Sequence, residues 1–335
     1  MSDLDRLQRA LADGLVQDHP TLMLRPPGDP GLAHLFTEPP RVWQPFLPFR
    51  ETLARAGSVP LDDLPEGAAQ VVVSLTRSRP ASQALVARGW ACLAEGGRLI
   101  VTGQKTDGVD ALLKALRPVL RPIDVLAKAH GKLAVFERNG PLPDLLAEWL
   151  AADSPSPNAA GFLTRPGVFS ADDVDPGSRL LAEHLPALSG TVADLGAGWG
   201  WLAHAALAAC PAITRLDLLE AEGTALALAK RNVTDPRARF HWADATRWTP
   251  EEPLDWVISN PPFHTGRSGD PGLGQAFLRS AARVLGPRGQ ALIVANRQLP
   301  YEATLAESFA RIDVVRETGV YKLFHLSHPK RPKRA

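Results

Sequence analysis

The chain has 335 residues, with 37 Lys or Arg against 36 Asp or Glu and a formal net charge of +1. That length suits two ordinary domains or one large one, at roughly 100–200 residues each. So small a net charge gives no whole-molecule steering, and a polyanionic partner must meet a local basic patch. The apolar fraction is 45%, the N-terminus is polar and acidic, no run reaches membrane-spanning length, and the two cysteines (Cys92 and Cys210) lie in apolar helical contexts. These features argue against a membrane protein, a secretory leader, a disulfide framework and a thiolate metal site, and a cytoplasmic protein is expected.

In chain order, Leu4, Leu7, Leu11 and Leu15 recur at helical spacing and predict an amphipathic first helix. A short strand is expected over Thr21–Leu24, then a Pro-rich connection through Pro26, Pro27, Pro30, Pro39 and Pro40. Gln70–Leu75 reads as a buried strand, Pro80–Leu93 as a helix, Arg98–Thr102 as a strand and Val109–Leu116 as a helix. Alternating strands and helices imply a parallel α/β layer.

The second half repeats this rhythm. Val71-Val72-Val73-Ser74 resembles Trp256-Val257-Ile258-Ser259, and Leu93–Val101 resembles Leu285–Val294 with one extra residue in the later copy. His130–Phe136 parallels Val320–Leu326, each reading as the second strand of a hairpin. On this alignment Leu75-Thr76-Arg77-Ser78 stands where the later copy has Asn260-Pro261-Pro262-Phe263, and the earlier copy lacks a glycine loop. The bland alternative is that any two α/β segments share such a rhythm. The fold class expected is α/β, with two tandem Rossmann-like domains, each a seven-stranded mostly parallel sheet closed by a C-terminal antiparallel hairpin. The boundary falls at Asp153-Ser154-Pro155-Ser156-Pro157-Asn158, giving domains 1–152 and 153–335 with the first degenerate.

Gly161–Ser178 shows no period and carries Phe169; it reads equally as a lid or as a plain connection. Arg179–Leu188 is expected to be helical, with Asp175 or Ser178 near its start as a cap. The strand Thr191–Leu195 runs into Gly196-Ala197-Gly198-Trp199-Gly200 and then the alanine-rich helix Trp201–Ala209. Glycines there let the backbone approach a ligand while the helix presents free N–H groups. The Gly-x-Gly-x-Gly spacing disfavours a nicotinamide dinucleotide, whose fingerprint needs Gly-x-Gly-x-x-Gly. Glu220 ends the next strand, where an acid accepts from both hydroxyls of a ribose; Asp217 competes, as a capping or surface charge. Asp244 follows the third strand, positioned either to meet an adenine amino group or to cap a turn.

Asn260-Pro261-Pro262-Phe263 ends a fourth strand abruptly, because consecutive prolines cannot extend a ladder. The Asn260 side-chain oxygen and the Pro261 carbonyl are acceptors, and Phe263 is a flat face beyond them, or else a hydrophobic plug. Such a set suits a planar amino group on an aromatic ring. His264 reads as a peripheral contact to base or phosphate, with ordinary packing as its alternative. Asn296 and Arg297 follow a strand on its ligand side. The histidines have no ligand-spaced companions, so no metal is expected. The basic end, Lys330-Arg331-x-Lys333-Arg334, reads first as a solvated tail.

Asp194–Gly200, Glu220, Asp244 and Asn260–Phe263, in that order, resemble the class I S-adenosylmethionine-dependent methyltransferases that modify planar amines. Pro166–Ser170, Asp175–Ser178, Asn260–Gly266 and Ala295–Glu302 narrow the likeness to the ribosomal RNA guanine-N2 methyltransferases, over residues ~160–327. Trp199 departs from the smaller or tyrosine side chain familiar there, and Glu220 takes a place often held by Asp. The resemblance implies S-adenosylmethionine held by Asp194, Gly196, Gly198, Gly200, Glu220, Asp244 and Asn260. It implies catalysis through Asn260, Pro261 and Phe263, and contact with ribosomal RNA through Phe169, Pro262, Phe263, His264, Asn296 and Arg297. The expected substrate is a guanine of small-subunit RNA, free or in an assembled subunit, and the enzyme a monomer without metal or membrane. The alternatives are a methyltransferase of another planar amine or amide (a large-subunit guanine, DNA adenine or protein glutamine) and a non-catalytic RNA-binding assembly factor.

Overall fold

A computed structural model describes residues 3–262, 271–298 and 300–330. The chain divides into two compact units, Met1–Pro155 with Arg165–Gly167, and Ser156–Thr164 with Val168–Ala335.

In the first unit the order is α1 (Asp3–Ala12), β1 (Thr21–Leu24), β2 (Arg41–Trp43), α2 (Leu47–Arg55), β3 (Val59–Pro60), β4 (Ala68–Ser74), α3 (Arg79–Cys92), β5 (Leu93–Gln104), α4 (Val109–Leu116), β6 (Asp124–Lys128), β7 (Gly131–Glu137) and α5 (Asp144–Ala152). The sheet runs β3-β2-β1-β4-β5-β7-β6, parallel except for β7, which is antiparallel to both β5 and β6. Both faces are covered, so the centre of β4, Val71-Val72-Val73, is a continuous apolar run rather than an alternating one. Val71, Val73, Leu99 and Val101 face one core, and Met23, Val72, Ile100 and Val135 the other. The Pro-rich segment is more ordered than its composition predicts. It holds β2, the short 3-10 helix Pro30–His34, and α2 with a proline in its first turn, where a missing N–H costs nothing.

The linker is also structured. Asp153 is buried, accepts from Arg88 Nε at 2.8 Å and also pairs with Arg165. Beyond it β8 (Ser156–Pro157) pairs with β9 (Leu163–Thr164).

The second unit continues with α6 (Pro176–Glu183), β10 (Gly190–Leu195), α7 (Trp201–Ala209), β11 (Ile213–Glu220), α8 (Gly223–Asn232), β12 (Ala238–Trp242), β13 (Leu254–Ser259), α9 (Pro271–Val284), β14 (Leu285–Asn296), α10 (Glu302–Ser308), β15 (Phe309–Glu317) and β16 (Tyr321–Pro329). Its sheet runs β12-β11-β10-β13-β14-β16-β15, the same order as the first, with the same antiparallel ending. Alternate residues again serve two cores: Ala193, Val257 and Ile293 on one face, Val192, Ile258 and Leu292 on the other. Helix α6 begins earlier than the sequence predicts, because Asp175 caps it and Pro176 fits its first position.

The two sheets also fix the alignment of the repeat, which differs by one residue from that read in the sequence. β5 and β14 are both 12 residues long, so the later copy has no extra residue. Leu254 pairs with Leu285 as Ala68 does with Leu93, and Trp256 with Gln290 as Gln70 does with Arg98, each pair of contacts straddling an irregularity at the same place. Ser74, not Leu75, therefore occupies the place of Asn260. Runs such as Val-Val-Val slide freely against Trp-Val-Ile in sequence, whereas ladder pairing does not. Among the described residues no helix is long and apolar enough to cross a membrane.

Candidate active site

In an open sheet of this order the strand order reverses between the parallel strands β10 and β13, and the crevice outside their carboxyl ends is where a ligand fits. A cleft lies at that point, lined by Phe169, Asp175, Ser178, Asp194, Gly196, Gly198, Trp199 and Asn260 among others. It gathers five of the expected residues: Phe169, Asp194, Gly196, Gly198 and Asn260.

The glycine turn is tied to the second strand, since Gly196 N and Ala197 N both donate to Leu219 O at 2.9 Å. Gly198 has φ +56° and nothing within 4 Å of where a Cβ would sit, so its backbone borders open space. Gly200 differs: at φ +92°, a Cβ there would lie 2.9 Å from Val233 Cγ2, and its role is close packing on α8. Asn232 holds the turn from outside by donating through Nδ2 to Trp199 O at 2.9 Å and Leu163 O at 2.9 Å.

Glu220 ends β11 and accepts from Gly198 N (Oε2, 2.8 Å) and Glu222 N (Oε1, 2.8 Å). With the Ala221 N–H also close by, part of its acceptor capacity remains for a ligand. Burial raises its pKa, opposed by those N–H bonds. Asp194 is 1% exposed, and its Oδ2 has no partner among the described residues. Burial, and then the nearby Glu220 charge, push the Asp194 carboxyl up to about 8. Asp217 is neither a cap nor a surface charge: it is buried in β11, paired with Arg215 Nε at 2.9 Å and bonded to His241 Nε2 at 2.9 Å.

Asn260 follows β13, whose last residue Ser259 donates to Leu195 O at 2.6 Å and so locks this strand end to β10. The Asn260 Nδ2 donates to Asp175 Oδ2 at 2.7 Å and to Ser178 Oγ at 2.8 Å. Pro261 and Pro262 complete the described part of the motif, whereas Phe263 and His264 lie outside the described residues.

Phe169 is 67% exposed at the cleft, and its carbonyl accepts from Trp199 Nε1 at 2.9 Å. Of the remaining expected residues, Asp244 follows β12 and accepts through Oδ1 from Thr246 N (2.9 Å) and Oγ1 (2.6 Å). Asn296 ends β14 and accepts from Gln298 N at 3.0 Å, and the exposed Arg297 pairs with Glu317 at 2.8 Å. None of these three lines the cleft. In the sequence Asp175 and Ser178 figure as helix caps and as part of a family-like motif without a role at Asn260, and Trp199 as a departure in the glycine loop. Their contacts span 85, 82 and 30 residues, beyond any local pattern.

A glycine turn after the first strand, an acid ending the second and Asn-Pro-Pro after the fourth define a class I methyltransferase fold, and residues 159–325 match the family model of the methyltransferase small domain. The chain is 31% identical over 288 residues to the ribosomal RNA small subunit methyltransferase C of Shewanella pealeana, covering 84% of this chain and 83% of the relative. The protein of that description from Shewanella sp. is 33% identical over 264 residues, 76% of this chain and 75% of its own. The chain belongs to the ribosomal RNA small subunit methyltransferase C family. A solved structure described as the T. thermophilus 16S rRNA N2 G1207 methyltransferase in complex with AdoMet and guanosine shares the fold, with TM-score 0.79 over 97% of this chain and 91% of that one at 24% identity.

Proposed function

We propose that this protein transfers a methyl group from S-adenosylmethionine to the exocyclic N2 of a guanine in small-subunit ribosomal RNA. The observation that carries this reading is the shared cleft: Asp194, Gly196 and Gly198 line the same space as the acceptor amide of Asn260. The residues present fit the cofactor. The unpartnered Asp194 Oδ2 is an acceptor for a cationic or N–H-bearing group, the Glu220 carboxylate has lone pairs free for ribose hydroxyls, and Gly198 leaves room for close backbone approach.

Bound there, S-adenosylmethionine supplies an electrophilic methyl on a sulfonium. The chain's work is alignment and charge placement. Guanine N2 is a weak nucleophile because its lone pair is delocalised into the ring. The Asn260 Oδ1 and the Pro261 carbonyl accept its two hydrogens, turning the lone pair towards the methyl and stabilising the positive charge that develops on nitrogen. The N2–methyl bond forms as the sulfur–methyl bond breaks. One N2 proton then leaves to solvent, because neither acceptor is a base of any strength. Phe263 is assigned to stacking on a base extruded from its helix, His264 and Pro262 to its edge, and Phe169, Asn296 and Arg297 to flanking RNA. The family names support the RNA assignment. Residues 1–152 are assigned to holding substrate or to structure, and residues 153–335 to catalysis. The enzyme is assigned as a cytoplasmic monomer acting without metal.

Labelled S-adenosylmethionine incubated with small subunits, large subunits, free ribosomal RNA, DNA and protein tests this directly. Label in guanine N2 of small-subunit RNA is the expected result; label in adenine or glutamine, or none, overturns it. Asn260→Ala is expected to keep cofactor binding and lose nearly all transfer, by about 1,000-fold, as for removal of a transition-state hydrogen bond. Transfer near the parent level removes Asn260 from the mechanism.

A further inference from the structure

We infer that Asp175 and Ser178 are positioning residues that decide which end of the Asn260 amide faces the acceptor base. The inference rests on the role proposed above for Asn260.

An asparagine amide has two nearly isosteric ends, one an acceptor and one a double donor. A guanine amino group can meet only the acceptor end. Nothing in Asn260 itself selects between the two orientations. The selection comes from Asp175, whose Oδ2 lies 2.7 Å from Asn260 Nδ2. An ionised carboxylate only accepts, so rotating the amide by half a turn would set two acceptor oxygens against each other at that distance. Ser178 Oγ takes the second Nδ2 hydrogen at 2.8 Å. With both donors engaged, Oδ1 is the end left for the substrate.

The carboxylate is itself held. The same Asp175 Oδ2 accepts from Ser178 N at 2.9 Å as the N-cap of α6. Gly177 keeps its neighbourhood clear, because a Cβ there would lie 3.0 Å from Asp175 Oδ2 and 3.1 Å from the Tyr321 ring. A four-residue turn, Asp175–Ser178, at the start of one helix thus sets the polarity of an amide 85 positions later in the chain. The arrangement also explains why position 260 is an amide rather than an acid: an aspartate there would face Asp175 with like charge.

Two arms test this with full-length enzyme, labelled S-adenosylmethionine and small-subunit RNA. Asp175→Ser keeps a helix cap but is too short to reach Asn260. It is expected to lower kcat about 10- to 100-fold, within the range for a misplaced transition-state hydrogen bond, with cofactor Kd changed less than about threefold and Tm unchanged. In the second arm Asn260→Asp is inactive, and adding Asp175→Asn, which exchanges amide and acid across the contact, recovers at least about tenfold. The inference is overturned by parent-level kcat in Asp175→Ser, by a cofactor Kd that moves in step with kcat, or by no recovery in the exchanged pair. An inactive Asn260→Ala together with a fully active Asp175→Ser would sink the positioning role alone. An active Asn260→Ala would sink the mechanism on which it rests.

Discussion

At the end of its second strand the N-terminal sheet carries Gln44 where the C-terminal sheet carries Glu220. The equivalence follows from the backbone: Arg25 N donates to Trp43 O at 2.9 Å, as Gly196 N does to Leu219 O at 2.9 Å. Both sheets keep a cleft at this edge, and that of the first unit is lined by Arg25, Gln44, Phe46, Ser74 and Gln104, among others. They differ in what their polar atoms have left to offer. Gln44 is 2% exposed, donates to Pro26 O at 2.6 Å and accepts from Phe46 N at 2.9 Å, so its amide is bonded to buried neighbours. Glu220 is half-buried and, as a carboxylate, brings only acceptors, and Asp194 has an oxygen with no partner among the described residues where the first sheet places Met23. Ser74 stands in for Asn260, and Arg25, at φ +50°, takes the backbone conformation of Gly196 with a side chain attached. One strand order is compatible with both clefts, and chemistry resides in a handful of unsatisfied groups added to it.

Substitutions that move one half towards the other test this contrast. Glu220→Gln, which installs the residue of the first unit, is expected to weaken cofactor binding about 100-fold in titration calorimetry, the scale of hydrogen bonds to a charged acceptor. Retained affinity would mean that the acid does not distinguish the halves. Gly200→Ala is expected to destabilise the second unit by about 1–3 kcal/mol in denaturant titration, because its Cβ has no room beside Val233. Gly198→Ala has room for its Cβ but must hold a φ of +56°, and is expected to lose about 1–2 kcal/mol of stability for that backbone and cofactor affinity besides.

Asp194→Asn probes the buried acid. With its folded pKa pushed up to about 8 and an ordinary unfolded value near ~4, the folded protein keeps this proton between those limits and the unfolded chain does not. Its contribution to stability is therefore full below about pH 4 and is lost as pH rises towards 8. The variant should give a flatter profile of Tm against pH across that window and exceed the parent near pH 8 when cofactor is absent. An unchanged slope would show Asp194 ionised throughout. Ser74→Ala is expected to change transfer by less than about twofold, as for substitutions away from a site; a larger loss would make the first unit a participant in the chemistry.

Much of this contrast was legible before any coordinates. Val109–Leu116 and Trp201–Ala209 are helices with the limits the pattern predicts, and the glycine turn announces itself because few other residues adopt its φ values. β2, α2 and β3 were not legible, since prolines at Pro40, Pro48 and Pro60 punctuate elements too short to show a period. The repeat was visible but its register was not, because ladder pairs fix it. In the site, Asn260 stood out through its prolines, while the groups that orient it came from the start of a helix far away in sequence.

The bond from Trp199 Nε1 to Phe169 O has one more consequence. Val168 and Val174 are buried, Thr164 Oγ1 donates to Ala171 O at 2.7 Å and Ser170 Oγ to Asp173 O at 2.9 Å, so the strap between them is tied at several points while the Phe169 ring stays largely exposed. A single bond of this kind is worth about 1 kcal/mol, one of several ties along the strap. The glycine turn thus grips this strap by its backbone, and the ring above it stands in solvent like a flag on a fixed post.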